Sequence, residues 1–108
     1  DDPRLVPYPA SAVIGMDEHP LESLRRKPDA SLAVAARLVR DGDAAGTVSA
    51  GNTGACMVAA IQLIGRLPGI SRPAIATAIP TEDGALALVV DAGANVDCRP
   101  SHLLQFAL

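Results

Sequence analysis

The chain has 108 residues, 49% hydrophobic, 19% charged and only 2% aromatic, so it is long enough to bury about two thirds of its unfolded surface around one aliphatic core. A formal charge of −3 gives no general attraction to nucleic acid, and Tyr8 and Phe106, the whole aromatic supply, offer no platform for stacked bases, which sets that class of partner aside. Cys56 and Cys98 are too few and too far apart for a zinc ligand set or a redox CxxC pair, and nothing reads as a secretory signal; the default setting is reducing and cytoplasmic.

Residues 1–9 carry three prolines and read as a loop or irregular strand entering from something upstream. Ala12-Val13-Ile14 reads as a short strand, Met16 to Pro20 as a polar turn, and Leu21 to Lys27 as a short helix. Asp29 is placed to N-cap a helix over Ala30–Arg40, with Leu32, Ala35, Ala36 and Val39 on one apolar face and Gly42 at the C-terminal cap. Gly46–Ala50 predicts a buried strand of small residues, followed by a glycine turn and an almost wholly apolar helix to about Leu67, buried on both faces. Gln62, Gly65 and Arg66 interrupt that run, which falls short of the roughly 20 residues that span a bilayer.

Pro68-Gly69 ends the helix, and Ala74–Ile79 and Leu86–Val90 predict two further strands joined by a hairpin-like connection at 80–85. A second glycine turn follows, and Pro100 suits the first turn of a helix from about Ser101. The succession predicts an α/β fold, a mostly parallel sheet with flanking helices, in a single segment over 1–108. Both ends look open, as in part of a larger domain.

Two turns carry the candidate chemistry. Ser49-Ala50-Gly51-Asn52-Thr53-Gly54-Ala55 leaves a strand and opens a helix, where unpaired backbone N–H groups and the helix dipole suit an anion. Its GxxG is neither a dinucleotide GxGxxG nor a Walker GxxxxGK[ST]. A tight strand-to-helix turn with Asn52 or Thr53 as N-cap accounts for it equally well. In Asp91-Ala92-Gly93-Ala94-Asn95-Val96-Asp97, Gly93 frees the backbone and Asn95 adds an amide; the alternative is an Asx-rich turn that satisfies its own backbone. Two such turns at strand ends of an open parallel sheet are expected to face one crevice. His19 and His102 have no partner at metal spacing, so no metal site is expected, and they read as surface or capping residues. Cys56, one turn into the apolar helix, reads as a small buried hydrophobe.

With these residues in place, the chain resembles the bacterial phosphate acyltransferase family of phospholipid synthesis. The likeness is carried by Met16-Asp17-Glu18, Arg26-Lys27-Pro28-Asp29-Ala30-Ser31, Val48 to Ala55, Gly69-Ile70-Ser71-Arg72-Pro73-Ala74, Asp91 to Asp97 and Leu104-Gln105-Phe106-Ala107. Ala30 departs from it, since the family pattern commonly has two serines there and only Ser31 is present.

The resemblance implies an isocitrate/isopropylmalate dehydrogenase-like fold shared with phosphotransacetylases, and an N-terminal-half fragment of a protein about three times this length. It also implies transfer of a fatty acyl group from acyl carrier protein to inorganic phosphate, giving acyl phosphate, without metal or organic cofactor. A homodimer loosely attached to the membrane follows from the same likeness. On that reading Ser49, Gly51, Asn52, Thr53 and Gly54 face the phosphate or oxyanion, and Gly93 and Asn95 shape the opposing wall. Lys27, Ser31, Asp91 and Asp97 support them, the two aspartates orienting donors or pairing with Lys27, Arg72 or Arg99. Arg25-Arg26-Lys27 reads as a solvated helix face or as a patch for the acidic carrier protein. The rivals are a phosphotransacetylase-like enzyme using acyl-coenzyme A, a non-catalytic fragment or binding module, and, third, a dehydrogenase, against which the missing nucleotide fingerprint counts.

Overall fold

In the computed structural model, which describes residues 2–95 and 97–107, the elements run α1 (Pro20–Arg26), α2 (Ser31–Asp41), α3 (Thr53–Ala59), a π-helical turn (Ala60–Ile64), β1 (Ala76–Pro80), β2 (Leu86–Val90) and α4 (Pro100–Phe106). Asp1, Leu108 and Val96, the last a member of the second glycine turn, lie outside the described residues. The chain divides into two compact units, Asp1–Gly65 and Arg66–Leu108.

In the first unit, Pro20 occupies the start of α1, where its preset φ and missing N–H are harmless, and Glu22 in the first turn with Arg25 and Arg26 in the last suit the helix dipole. The helix begins one residue earlier than the sequence pattern placed it. In α2 the N-cap position is Ala30 rather than Asp29, and no side chain caps it. Ala30 is fully buried and extended (ψ 144°) because it forms an isolated parallel bridge with Ala12, in which the Ser31 N–H donates to the Ala12 carbonyl at 2.9 Å. Asp29 instead reaches the Arg37 guanidinium at 3.4 Å. The strand expected at Ala12–Ile14 is therefore one bridge residue. Gly42 ends α2 as expected, at φ +83°, its N–H shared by the Leu38 and Val39 carbonyls.

The core of this unit is built from Ile14, Leu24, Ala30, Ala33, Ala36, Ala55 and Ala59, with Ala12, Leu32, Val58 and Leu63 packed against it. Alanine dominates because helix and chain axes come close, and the buried positions of α2 are Ala33 and Ala36, a face turned slightly from the expected one. Two expectations fail here. Gly46–Ala50 is irregular, pairs with no strand among the described residues and is exposed, Val48 fully so at 101%; a strand exists only through the partner that takes its N–H and C=O groups, and local sequence does not name one. The apolar helix is not buried on both faces: Ala55 and Ala59 are buried, whereas Ala60, Gln62 and Ile64 are exposed. It loosens into the π turn after Ala59 and stops at Gly65, short of Leu67.

In the second unit β1 and β2 form an antiparallel two-stranded sheet, with Ala76 opposite Val90 and Pro80 opposite Leu86. The α/β class holds, but the mostly parallel sheet does not: among the described residues the sheet is antiparallel, and the only parallel pairing is the Ala12–Ala30 bridge. The expected connection at 80–85 already requires this, since parallel strands need a crossover of a dozen or more residues. The turn is closed by Thr81 N–H to the Ala85 carbonyl and Gly84 N–H to the Thr81 carbonyl, both 3.0 Å. Every residue of both strands is exposed, Leu86 at 70% and Leu88 at 68%, against the expectation of buried strands. In α4 the Gln105 Oε1 accepts from the Ser71 N–H (2.9 Å) and Ser71 Oγ (2.8 Å), tying the helix to the Ser71-Arg72 segment. No helix among the described residues is long and apolar enough to cross a membrane.

Candidate functional site

Each glycine turn has its own setting, one in each unit. In the first, Asn52 is the N-cap of α3: its Oδ1 accepts the Ala55 N–H at 3.0 Å. Its Nδ2 donates to the carbonyls of Gly15 (3.0 Å) and Glu18 (3.1 Å), with the Met16 carbonyl at 3.4 Å. The side chain is thus committed to protein on both polar atoms, and Asn52 is only 7% exposed. Its neighbours are the reverse: Ser49, Gly51 and Thr53 are exposed. The Ser49 Oγ accepts the Gly51 N–H at 3.2 Å, and the N–H groups of Thr53 and Gly54, in the first turn of the helix, have no protein acceptor among the described residues. Gly54 is required by packing, because a Cβ there would stand 2.7 Å from Pro20 Cγ at the start of α1.

The segment that Asn52 holds is itself braced. The Gly15 N–H donates to Glu18 Oε1 at 2.7 Å, Ser23 Oγ donates to Glu18 Oε2 at 3.0 Å, and Lys27 Nζ donates to Glu18 Oε1 at 2.6 Å and to the Val13 carbonyl at 2.9 Å. The Gly15 N–H, first, and then the Lys27 ammonium pull the Glu18 carboxyl down to about 2. Lys27 therefore sits with Glu18, while Ser31, exposed at the start of α2, contributes its backbone N–H to the Ala12 bridge.

In the second unit Asp91 organises the turn. Its Oδ1 accepts the Ile75 N–H (3.0 Å), and its Oδ2 accepts the Asn95 N–H (2.7 Å) and Asn95 Nδ2 (3.1 Å). Asn95 Nδ2 also donates to the Pro73 carbonyl at 3.2 Å. These donors, the Ile75 N–H foremost, hold the Asp91 carboxyl below the usual carboxylate range. Gly93 is exposed at φ +78°, where a side chain would be strained, and its N–H donates to the Asp91 carbonyl at 3.0 Å. Arg72 Nη1 reaches the backbone carbonyl of Asp97 (3.3 Å), not its carboxylate, and neither aspartate forms an ion pair with Arg72 or Arg99 among the described residues. Asp91 and Asn95 bond to each other within the turn, as in an Asx arrangement, and also tie it to residues outside it through the Ile75 N–H and the Pro73 carbonyl.

The remaining candidates fall as follows. His102 Nδ1 accepts the Arg99 N–H at 3.2 Å, a capping role in α4, and His19 stands at the N-cap position of α1 without a side-chain cap. Cys56 is half-buried and Cys98 exposed, both as free thiols. Arg26 pairs with Glu22 at 3.0 Å, while Arg25 is exposed with no carboxylate partner among the described residues. The residues that sequence reasoning left without a role are Gly15, Glu18 and Ser23, although Glu18 lies in one of the quoted motifs. Glu18 shares no periodic spacing with Asn52, and only the fold brings them together. The one local signal was a glutamate three residues after a glycine, just ahead of a proline-started helix.

The family model described as "Fatty acid synthesis protein" matches residues 4–108. Along its whole length the chain is 57% identical to the phosphate acyltransferase of Pseudomonas paraeruginosa, 52% identical to that of Syntrophomonas wolfei and 49% identical to that of an Exiguobacterium species. It spans 32%, 34% and 33% of those proteins, respectively, about a third of their length.

Proposed function

The chain belongs to the fatty acid synthesis protein family, and on that premise we propose that the protein carrying it transfers a fatty acyl group from the thioester of acyl carrier protein to inorganic phosphate. The observation that supports this is the match, along the whole chain, to relatives named phosphate acyltransferase. In the proposed step a phosphate oxygen attacks the thioester carbonyl carbon, a C–O bond forms, the C–S bond breaks, and the thiolate leaves and takes a proton from solvent. Phosphate at neutral pH already carries a nucleophilic oxygen. What the protein must supply is a fixed anion and donors for the developing oxyanion.

Ser49, Gly51, Thr53 and Gly54 are the part of this chain suited to that task, through exposed hydroxyls and the free N–H groups of Thr53 and Gly54. Asn52 serves the same turn by holding it, since its carboxamide is already engaged. Arg25, exposed beside Arg26, is the group we assign to the acidic carrier protein. A homodimer at the inner face of the membrane completes the proposal.

The test uses the polypeptide at the full length of its relatives, supplied with phosphate and either acyl carrier protein or coenzyme A thioester, and traps acyl phosphate as a hydroxamate. Acyl phosphate from the carrier thioester, with a raised phosphate KM in Thr53→Ala, is the expected result. Product only from the coenzyme A thioester selects the phosphotransacetylase-like alternative, and no product from either overturns the assignment.

A further inference from the structure

In the first unit one unbroken chain of polar contacts starts at Lys27, beyond the segment it braces, and ends inside the glycine turn. Lys27, at the end of α1, places its ammonium 2.6 Å from Glu18 Oε1 and 2.9 Å from the Val13 carbonyl. Glu18 Oε1 takes the Gly15 N–H as well, and Oε2 takes the hydroxyl of Ser23, which is 2% exposed. These bonds fold residues 13–18 so that the Gly15 and Glu18 carbonyls converge on one point, the Asn52 amide nitrogen. The other end of that carboxamide fixes the Ala55 N–H. Asn52 can turn about its side-chain bonds only if it breaks contacts at both ends together.

We propose that Glu18 and Lys27 are positioning residues for the Gly51–Gly54 turn, acting through the Gly15 and Glu18 carbonyls and the Asn52 carboxamide. The inference rests on the reading of that turn as the phosphate site for its kinetic consequence, but not for its structural one. A part-buried polar chain of this kind contributes direction more than stability: each bond tolerates little angular drift, whereas apolar packing between the alanines would allow the turn to slide. Lys27→Met keeps an unbranched stem and removes the charge and its donors to Glu18 and Val13. Glu18→Gln keeps a neutral oxygen for the Gly15 N–H and the Lys27 ammonium, removes the negative charge, and sets an amide NH2 where Oε2 accepts from Ser23. Lys27→Arg retains two donors for the same pair of acceptors.

The full-length protein, wild type and these three variants, is examined by amide hydrogen exchange and by steady-state kinetics at varied phosphate, with Glu22→Gln as a control on the solvent side of α1. Lys27→Met and Glu18→Gln are expected to speed exchange at Ala55 about tenfold relative to the α2 amides, and to raise the phosphate KM by a similar factor with kcat nearly unchanged. Lys27→Arg should restore both, and Glu22→Gln should alter neither. Unchanged Ala55 exchange in both variants overturns the proposal whatever the activity. Faster exchange with an unchanged phosphate KM in active enzyme overturns the link to phosphate. A wild-type protein that makes no acyl phosphate defeats the functional reading instead, and the exchange measurement still decides whether Glu18 and Lys27 position the turn.

Discussion

At the scale of single residues, Asn52 carries the most consequential contacts. Asn52→Ala removes the cap on Ala55 and leaves the Gly15 and Glu18 carbonyls without their donor, which together should cost about 2 kcal/mol in urea unfolding. Asn52→Asp is the sharper variant. It keeps the acceptor for Ala55 but turns a carboxylate oxygen toward two carbonyls, so at neutral pH it should destabilise no less than alanine, despite its nearly identical shape. Equal stability of Asn52→Asp and wild type would remove the donor role. Glu18 adds a pH dependence whose sign follows from its lowered carboxyl. Its folded-state value of about 2 lies below the ordinary 4.5, so the stabilisation is fully present above that ordinary value and is lost as pH falls through about 2. The Glu18 carboxyl carbon, followed by NMR, should titrate near 2 and stay flat between pH 5 and 8; a midpoint near the ordinary carboxylate value would refute the bracing.

At the scale of elements, the close approach of α1 and α3 depends on a residue without a side chain. A methyl group at position 54 would meet the Pro20 ring at 2.7 Å, and a proline ring has little freedom to withdraw. Gly54→Ala gains about 1 kcal/mol of helix propensity but suffers overpacking of about 2 kcal/mol, for a net loss of about 1 kcal/mol. Pro20→Ala in the same molecule should recover most of the overpacking term, visible as non-additivity in a double-mutant cycle; strict additivity would contradict the contact. Helix α2 and strand β2 were legible in the sequence because apolar spacing, Gly42 and an uninterrupted aliphatic run are local signals. The sheet direction was legible only in part: the short connection at 80–85 implied a hairpin, yet the alternation of strand-like and helix-like runs suggested parallel pairing. Nothing local marks that Gly46–Ala50 finds no strand partner among the described residues or that Lys27 reaches Glu18, since both depend on what the rest of the chain brings alongside. Of the candidate site, the turn and its capping asparagine were readable; the carbonyls that fill Asn52's other end were not, because main-chain acceptors leave no mark in a sequence.

At the scale of the molecule, the two units differ in how much they bury. Among the described residues, the buried core residues all belong to Asp1–Gly65. In Arg66–Leu108 the hairpin exposes Ile79, Leu86, Leu88, Val89 and Val90. A two-stranded hairpin with both faces in water is at best marginally stable. The chain as it stands should therefore bind a hydrophobic dye, and amides of residues 76–90 should exchange faster than those of α2. The protein at the full length of its relatives should show less dye binding per molecule and slower exchange at 76–90. Slow exchange across the hairpin in the 108-residue chain would show that the two strands are stable without further cover.

The lock between Asn52 and residues 15–18 grips the main chain only. A grip on carbonyl oxygens is indifferent to which side chains hang from the gripped residues, so the exposed Met16 and Asp17 are free to be exchanged without altering the path of the loop. Gly15 has less of that freedom: a Cβ there would displace the exposed Asp17 carboxylate, which can swing aside, but would also stand 3.4 Å from Glu18 Oε1, the oxygen that braces the loop. Beside a turn whose shape is fixed, the molecule thus keeps two adjacent positions open to new chemistry, where a redesigned ligand preference could be written without unpicking the frame.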